Sequence, residues 1–270
     1  MPVASSPPVL GALAHDLRWT IVSMLVPGDL RTSEIVEFTG QAPSLVSYHL
    51  ARLRDAGVVT ARRSAADGRD SYHSLDLDAL GQAMARAAQR IHPGLLAAGV
   101  LSHQPQAGPA PAAGRDQLGL AGTADLQPGR SVRILFICSG NSARSPMAEG
   151  WLNHLGGGWV TARSAGVTPA PLHPLAVAAM AEHGVDIAGH QAMSVGSFAH
   201  DSFDRVITLC DRAREDCGEV PEATVTVHWS IPNPAQAHPP DLDAFRATAR
   251  ELGARIHYLL PLLQAGARAG

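Results

Sequence analysis

VRILFICSGNSARS, residues 132–145, is the stretch from which the C-terminal half of the chain is read. Val132 to Ile137 is short, largely apolar and rich in β-branched residues, the composition of a buried strand. It runs without a spacer into Cys138-Ser139-Gly140-Asn141-Ser142-Ala143-Arg144-Ser145, and PMAEGWLNHL behind it reads as a helix. A strand, a Gly-bearing loop and a helix start, in that order, make an anion site. The backbone N–H groups of Ser139, Gly140, Asn141, Ser142 and Ala143 converge with the positive helix end on one tetrahedral oxyanion. Cys138 sits in the same field, which favours its thiolate. Arg144 closes the loop with a planar fork suited to two oxyanion oxygens. Ser145 can hydrogen-bond the Cys138 sulfur, and Asn141 can brace the loop through side-chain-to-backbone bonds. A Cys and an Arg at this spacing also occur by chance. Their placement between such a strand and such a helix argues against an inert buried thiol.

Working outward, cysteine usage points the same way. The chain has 3 cysteines, Cys138, Cys210 and Cys217, all in its second half. An odd count suits reactive thiols better than structural disulfides. No apolar run is long enough to cross a bilayer, and the N-terminus lacks the basic-then-apolar pattern of a signal peptide, so a cytoplasmic protein away from membranes is expected. The 270 residues allow two ordinary domains. Aromatics make up only 4%, so the cores must be built from aliphatic side chains. All 21 basic residues are Arg, which carries no mechanism by itself; the net charge of −3 excludes general coating of nucleic acid but not a local basic face.

Three segments are expected: a helical domain over residues 9–96, a flexible linker over 97–130, and an α/β domain over 131–267. The tract from Ala97 to Gly129 is rich in Pro, Gly and Ala without apolar period. As a flexible chain of about 30 residues it would span roughly 30 Å. After Arg133, short β-branched runs alternate with helical stretches, the pattern of a parallel sheet.

In the first segment, Leu10, Leu13, Leu17, Ile21, Met24 and Leu25 recur at helical spacing, as one or two amphipathic helices. A short helix from Thr32 to Phe38, a turn at Gly40 and a helix from Pro43 to about Ala56 have helix-turn-helix spacing. On that second helix Val46, Leu50 and Leu53 form the inward stripe. Ser44, Ser47, Tyr48 and Arg52 point outward with His49 at the edge, a set suited to base edges and phosphates. VVTARR and SYHSLDL around Ala65-Ala66-Asp67-Gly68 then read as a β-hairpin wing carrying Arg62, Arg63 and Arg69. Of the 9 Arg residues before the linker, 5 lie between Arg52 and Arg69, concentrating positive charge where DNA would sit.

AHDLRWTIVSML and GQAPSLVSYHLARLRDAGVV resemble the arsenical-repressor (ArsR-type) family of winged helices. The resemblance covers about 70 residues and implies a homodimer that binds DNA. Many members sense metal or arsenite through a Cys-rich helix before the recognition helix; here that stretch is DLRTSEIVEF, without a thiol. The last helix, Asp78 to His92, lacks paired His residues one turn apart, and His73 and His92 read as core or surface histidines. No metal site is expected.

The loop, SAGVTPAPLHPLAVAAMAEHGVDI, FDRVITLCDRAREDC and HWSIPNPA resemble the fold shared by low-molecular-weight tyrosine phosphatases and thiol-linked arsenate reductases. The fold implied is a four-stranded parallel sheet with helices on both faces. Its strands fall near Val132–Ile137, Val160–Arg163, Arg205–Leu209 and Thr224–His228, with a closing helix from Leu242 to Leu263. Reductases that resemble this sequence carry a thiol pair like Cys210 and Cys217, and AEGW leans the same way. The implied relay is attack of Cys138 on arsenate, then of Cys210 on the adduct, then of Cys217 on Cys210. No bound cofactor is implied; an external thiol reductant, thioredoxin or a low-molecular-weight thiol, would reset the pair. One position departs from both families: Asn233 stands where an Asp general acid normally precedes Pro, and an amide cannot donate a proton in that way. His228, His238, Asp241 and Asp243 are near in sequence. The expected protein is a DNA-binding regulator joined to an arsenate reductase in arsenic resistance. The rival readings are a transcription factor whose oxyanion domain only senses, and a tyrosine phosphatase. Ala235 in place of an aromatic residue, with the extra thiols, argues against the last.

Overall fold

The computed structural model describes residues 6–66, 68–92, 95, 131–216, 221–236 and 239–267. The expected linker over 97–130, Asp67 of the wing turn, Cys217 and His238 lie outside them. The described residues fall into two compact units, one mainly N-terminal and one mainly C-terminal.

The N-terminal unit starts with helices α1 (Pro8–Leu13) and α2 (Asp16–Met24), followed by the short strand β1 (Leu30–Arg31). Helices α3 (Thr32–Thr39) and α4 (Pro43–Asp55) form the helix-turn-helix. Gly40 ends α3 at φ 62°, the left-handed geometry that glycine adopts without penalty, and Pro43 opens the first turn of α4. Ile21, Ile35, Val46, Leu50 and Leu53 are fully or almost fully buried, so α2, α3 and α4 share one core. Strands β2 (Val59–Arg63) and β3 (Ser71–Leu75) pair antiparallel with Arg63 opposite Ser71, forming the wing. β1 adds to β3 on its other side; two residues are too few to leave a periodic signal in the sequence. Helix α5 (Leu77–Ile91) closes the unit, its N-terminus capped by the Asp76 carboxylate, which accepts from Ala79 N–H at 2.9 Å.

The second unit is built on four parallel strands, β4 (Val132–Cys138), β5 (Val160–Gly166), β6 (Ser202–Thr208) and β7 (Glu222–His228), in the order β5-β4-β6-β7. β4 is central and almost wholly buried, as its apolar run requires. Its helices are α6 (Arg144–Leu155), α7 (Pro174–Ala181), α8 (Asp211–Asp216) and α9 (Leu242–Ala267). The strands extend past the expected limits at several ends because the parallel ladder continues, as in Ile137 opposite Ala165 and Cys138 opposite Gly166. The carboxyl ends of β4, β6 and β7 bring the Cys138 loop, Cys210 and the segment after His228 to one edge, the usual position for a site in an open parallel sheet. Among the described residues no helix is long and apolar enough to cross a membrane.

Candidate functional site

Cys138 is the last residue of β4, only 2% exposed, and its Sγ lies 3.0 Å from Ser145 Oγ in the first turn of α6. Ser145 has one hydroxyl proton and two acceptors within reach, Cys138 Sγ and the Ala165 carbonyl at 3.3 Å. A hydroxyl at hydrogen-bond distance from the sulfur can donate to it.

The loop turns its carbonyls outward. Cys138, Ser139, Gly140 and Ser142 each offer a carbonyl to a backbone N–H, from Val167, Thr168, Ala170 and His173 respectively, at 2.8–3.1 Å. With those carbonyls tied down, the loop's own N–H groups are left for the concave side. Gly166 is needed for this close seam: a Cβ there would come within 2.7 Å of Asn141 N and 2.8 Å of Gly140 C.

Asn141 adopts φ 47°, a left-handed conformation that Asn tolerates better than other side-chain-bearing residues. Its amide is saturated. Nδ2 donates to Ser145 Oγ at 2.9 Å and Ser164 Oγ at 2.8 Å; Oδ1 accepts from Met193 N–H at 2.8 Å and meets His190 Nε2 at 3.1 Å. Ser164 in turn donates to Glu149 Oε2 at 2.6 Å, and His190 Nδ1 lies 3.6 Å from the same oxygen. Burial holds the His190 imidazole below its ordinary range, against the opposing pull of Glu149. The bracing read from sequence as side-chain-to-backbone bonding is thus mainly side chain to side chain. Glu149, Ser164 and His190 were not legible as its partners, because they come from three separate elements.

Arg144 is 7% exposed and donates from Nη1 to the Ile231 carbonyl at 3.1 Å. Cys138, Arg144, Cys210, Arg212, Asn233 and Gln236 line one open cleft. The Asn233 side-chain Oδ1 accepts from Ala235 N–H at 3.3 Å. Cys210 Sγ lies 3.1 Å from Ser139 Oγ, inside the loop, and takes a second contact from Ala213 N–H at 3.4 Å. Asp241 and Asp243 do not line that cleft.

In the N-terminal unit Ser44, Ser47, Tyr48 and Arg52 share the exposed face of α4. Tyr48 and Arg52 are paired one turn apart, Arg52 Nε donating to Tyr48 Oη at 3.3 Å. Arg63 and Arg69 are exposed and Arg62 is half-buried. His49 departs from its expected place on the DNA-facing edge. It is 4% exposed, its ring 4.3 Å from that of His15, with Arg18 Nη1 at 3.4 Å from Nδ1. Lying three residues after Val46 and four before Leu53, it turns with the buried stripe. His73 is likewise a core residue, with Nε2 2.9 Å from Thr32 Oγ1. Among the described residues no group of His, Cys, Asp and Glu side chains is placed to hold a metal ion.

A thiol and an arginine at the two ends of a loop, ahead of a helix, form an arrangement that can hold a tetrahedral oxyanion beside a cysteine thiol. Residues 133–268 match the family described as low molecular weight phosphotyrosine protein phosphatase, and the chain belongs to that family. Residues 15–61 match the family described as bacterial regulatory protein, arsR family. The second unit is similar to an arsenate reductase of Halalkalibacterium halodurans, 39% identical over 46% of this chain and 91% of that protein. It is also similar to an arsenate reductase of Bacillus subtilis, at 37% over 46% of this chain and 91% of the relative. A solved arsenate reductase in its reduced state is 31% identical over 48% of this chain and 96% of its own, with a TM-score of 0.40.

Proposed function

We propose that the chain is a DNA-binding regulator fused to an arsenate reductase, acting in the cytoplasm in arsenic resistance. The observation that carries the enzymatic half is Cys210 Sγ at 3.1 Å from Ser139 Oγ, which brings a second thiol to the oxyanion loop itself. A phosphatase has no use for that thiol; a two-electron reductase requires it.

In this mechanism the loop N–H groups and Arg144 bind arsenate, and the Cys138 thiolate attacks arsenic with loss of one oxygen as water. Cys210, as thiolate, then attacks Cys138 Sγ. The S–S bond forms, the S–As bond breaks, and its electron pair stays on arsenic, which leaves as arsenite. Arsenic is reduced by two electrons and two thiols are oxidised to one disulfide. Cys217 exchanges onto Cys210 and frees Cys138, and an external dithiol such as thioredoxin, or a low-molecular-weight thiol, reduces the Cys210–Cys217 bond. The step that suffers is departure of the oxygen, since Asn233 supplies no proton.

The N-terminal unit would bind DNA as a homodimer, α4 in the major groove and the Arg wing on phosphates. A sensor that merely holds the oxyanion is favoured by one observation, the Asn233 amide in the cleft. Arsenite production with arsenate and thioredoxin, measured beside hydrolysis of a phosphotyrosine analogue, separates these readings. The reductase yields arsenite at a rate that vanishes in Cys138→Ser; the sensor yields neither product.

A further inference from the structure

The turn that carries Cys210 is spanned by a buried polar group that takes no part in the chemistry above. His228, the last residue of β7, lies opposite Thr208, the last residue of β6. Its Nδ1 is 2.8 Å from Thr208 Oγ1 and its Nε2 is 3.1 Å from Asp211 Oδ1. One imidazole therefore holds the residues on both sides of Leu209 and Cys210. Ser230 donates to the same Asp211 oxygen at 2.8 Å. The residue after it, Ile231, supplies the carbonyl that takes Arg144 Nη1 at 3.1 Å. Thr208, Asp211, His228 and Ser230 are each no more than 4% exposed.

We infer that His228, through Asp211 and Thr208, is a positioning residue for the relay thiol, fixing Cys210 against the oxyanion loop. The inference rests on the thiol-relay reading. Its physical basis is that displacement at Cys138 Sγ requires Cys210 Sγ to approach nearly in line with the S–As bond that breaks. An error of about 1 Å in such a geometry costs on the order of 100-fold. Leu209 N–H donates to the Ile137 carbonyl at 2.7 Å, which registers the turn on β4, and beyond it Arg214 N–H donates to the Cys210 carbonyl at 3.1 Å. These backbone bonds run along the chain; the His228 contacts to Thr208 and Asp211 add the side-chain tie across the turn from β7. An apolar core residue at 228 would fill the space without reaching either partner. The braces on Asn141 share no bond with the His228 group, so the turn of the Cys138 loop and the turn of the relay thiol are braced by different side chains.

The test uses the full chain with Cys217→Ser, in which arsenate should arrest the relay as a Cys138–Cys210 disulfide, scored by mass spectrometry after alkylation. His228→Phe in that background should form the disulfide at least tenfold more slowly. Iodoacetamide labelling of Cys138, and its protection by phosphate, should stay within about twofold. Ser230→Ala, which removes one bond and keeps the imidazole, should slow disulfide formation about two- to threefold, and His228→Gln should fall between it and His228→Phe. Equal disulfide rates in His228→Phe and its parent overturn the inference alone. So does a fall in Cys138 labelling parallel to the fall in disulfide rate in all three variants, which would mark a merely structural role. A parent that forms no disulfide with arsenate removes the relay reading and this inference with it.

Discussion

Replacing Gly166 by Ala tests whether the shape of the oxyanion loop is set by its seam with β5. The added Cβ would lie 2.7 Å from Asn141 N, 2.8 Å from Gly140 C and 3.0 Å from Asn141 Cβ, where ordinary contacts begin at 3.4 Å. Relief needs a displacement of 3.4 − 2.7 = 0.7 Å, and the atoms in the way are backbone, not the end of a flexible side chain. Asn141 is also the residue least able to give, because its amide is fixed by four partners. Overpacking of this kind costs about 1–3 kcal/mol, which for a unit of this size lowers the melting temperature by roughly 3–10 °C. The displaced N–H groups should weaken oxyanion binding at least tenfold, about 1.4 kcal/mol. Phosphate protection of Cys138 against iodoacetamide gives the affinity without turnover, and scanning calorimetry gives the stability. Gly140→Ala is the contrast: its Cβ would be crowded by Ser142 Oγ at 3.2 Å, a rotatable side chain, with Ser142 Cβ and Ala170 Cβ at ordinary contact distances of 3.8 and 3.9 Å, so it should cost under about 1 kcal/mol. If Gly166→Ala keeps both the melting temperature and the phosphate affinity of the parent, the account of the loop is wrong.

Asn233→Asp should raise arsenate turnover by about 10²-fold or more if oxygen departure is slow, with a gain that narrows at high pH as the new carboxylate ionises and repels the anion; unchanged turnover from pH 5 to 8 would remove proton donation from the account. Replacing Arg62 and Arg63 by Ala should weaken binding to all DNA sequences alike and reduce the slope of log affinity against log salt by about 1–2, measured by fluorescence anisotropy. His73 gives a pH test of the N-terminal core. Burial, with Arg54 nearby, lowers its pKa to about 4, against 6.5 unperturbed. The unfolded chain therefore takes up a proton before the folded one does, and stability falls as pH drops from about 6.5 to 4, by up to about 3 kcal/mol. Hydrogen exchange of the N-terminal core amides should show that loss, and His73→Leu should flatten it.

What the sequence disclosed follows from how local each feature is. The strand, loop and helix around Cys138 occupy consecutive residues, so composition alone places the thiol, the arginine and the anion cradle. The inward stripe of Val46, Leu50 and Leu53 was legible for the same reason, since helical periodicity is a local signal. His49 was not, because a residue at the boundary of a stripe is assigned by what packs on it, and His15 and Arg18 lie 34 and 31 residues away. The braces of Asn141 and the His228 contacts were hidden likewise. Asp211 and His228 meet only because β6 and β7 are neighbours in the sheet, and Glu149, Ser164 and His190 converge only once β5 and α6 are packed. The Cys210–Cys217 pairing stays an inference from spacing and resemblance, with Cys217 outside the described residues.

The most direct measurement is a single-turnover titration of the fully reduced chain with arsenate and no added reductant. Thiol-relay chemistry requires about one arsenite per chain and the loss of two of the 3 free thiols, with Cys210 and Cys217 recovered as a disulfide. Retention of all three thiols without arsenite, while a phosphotyrosine analogue is hydrolysed at the same Cys138, would contradict it.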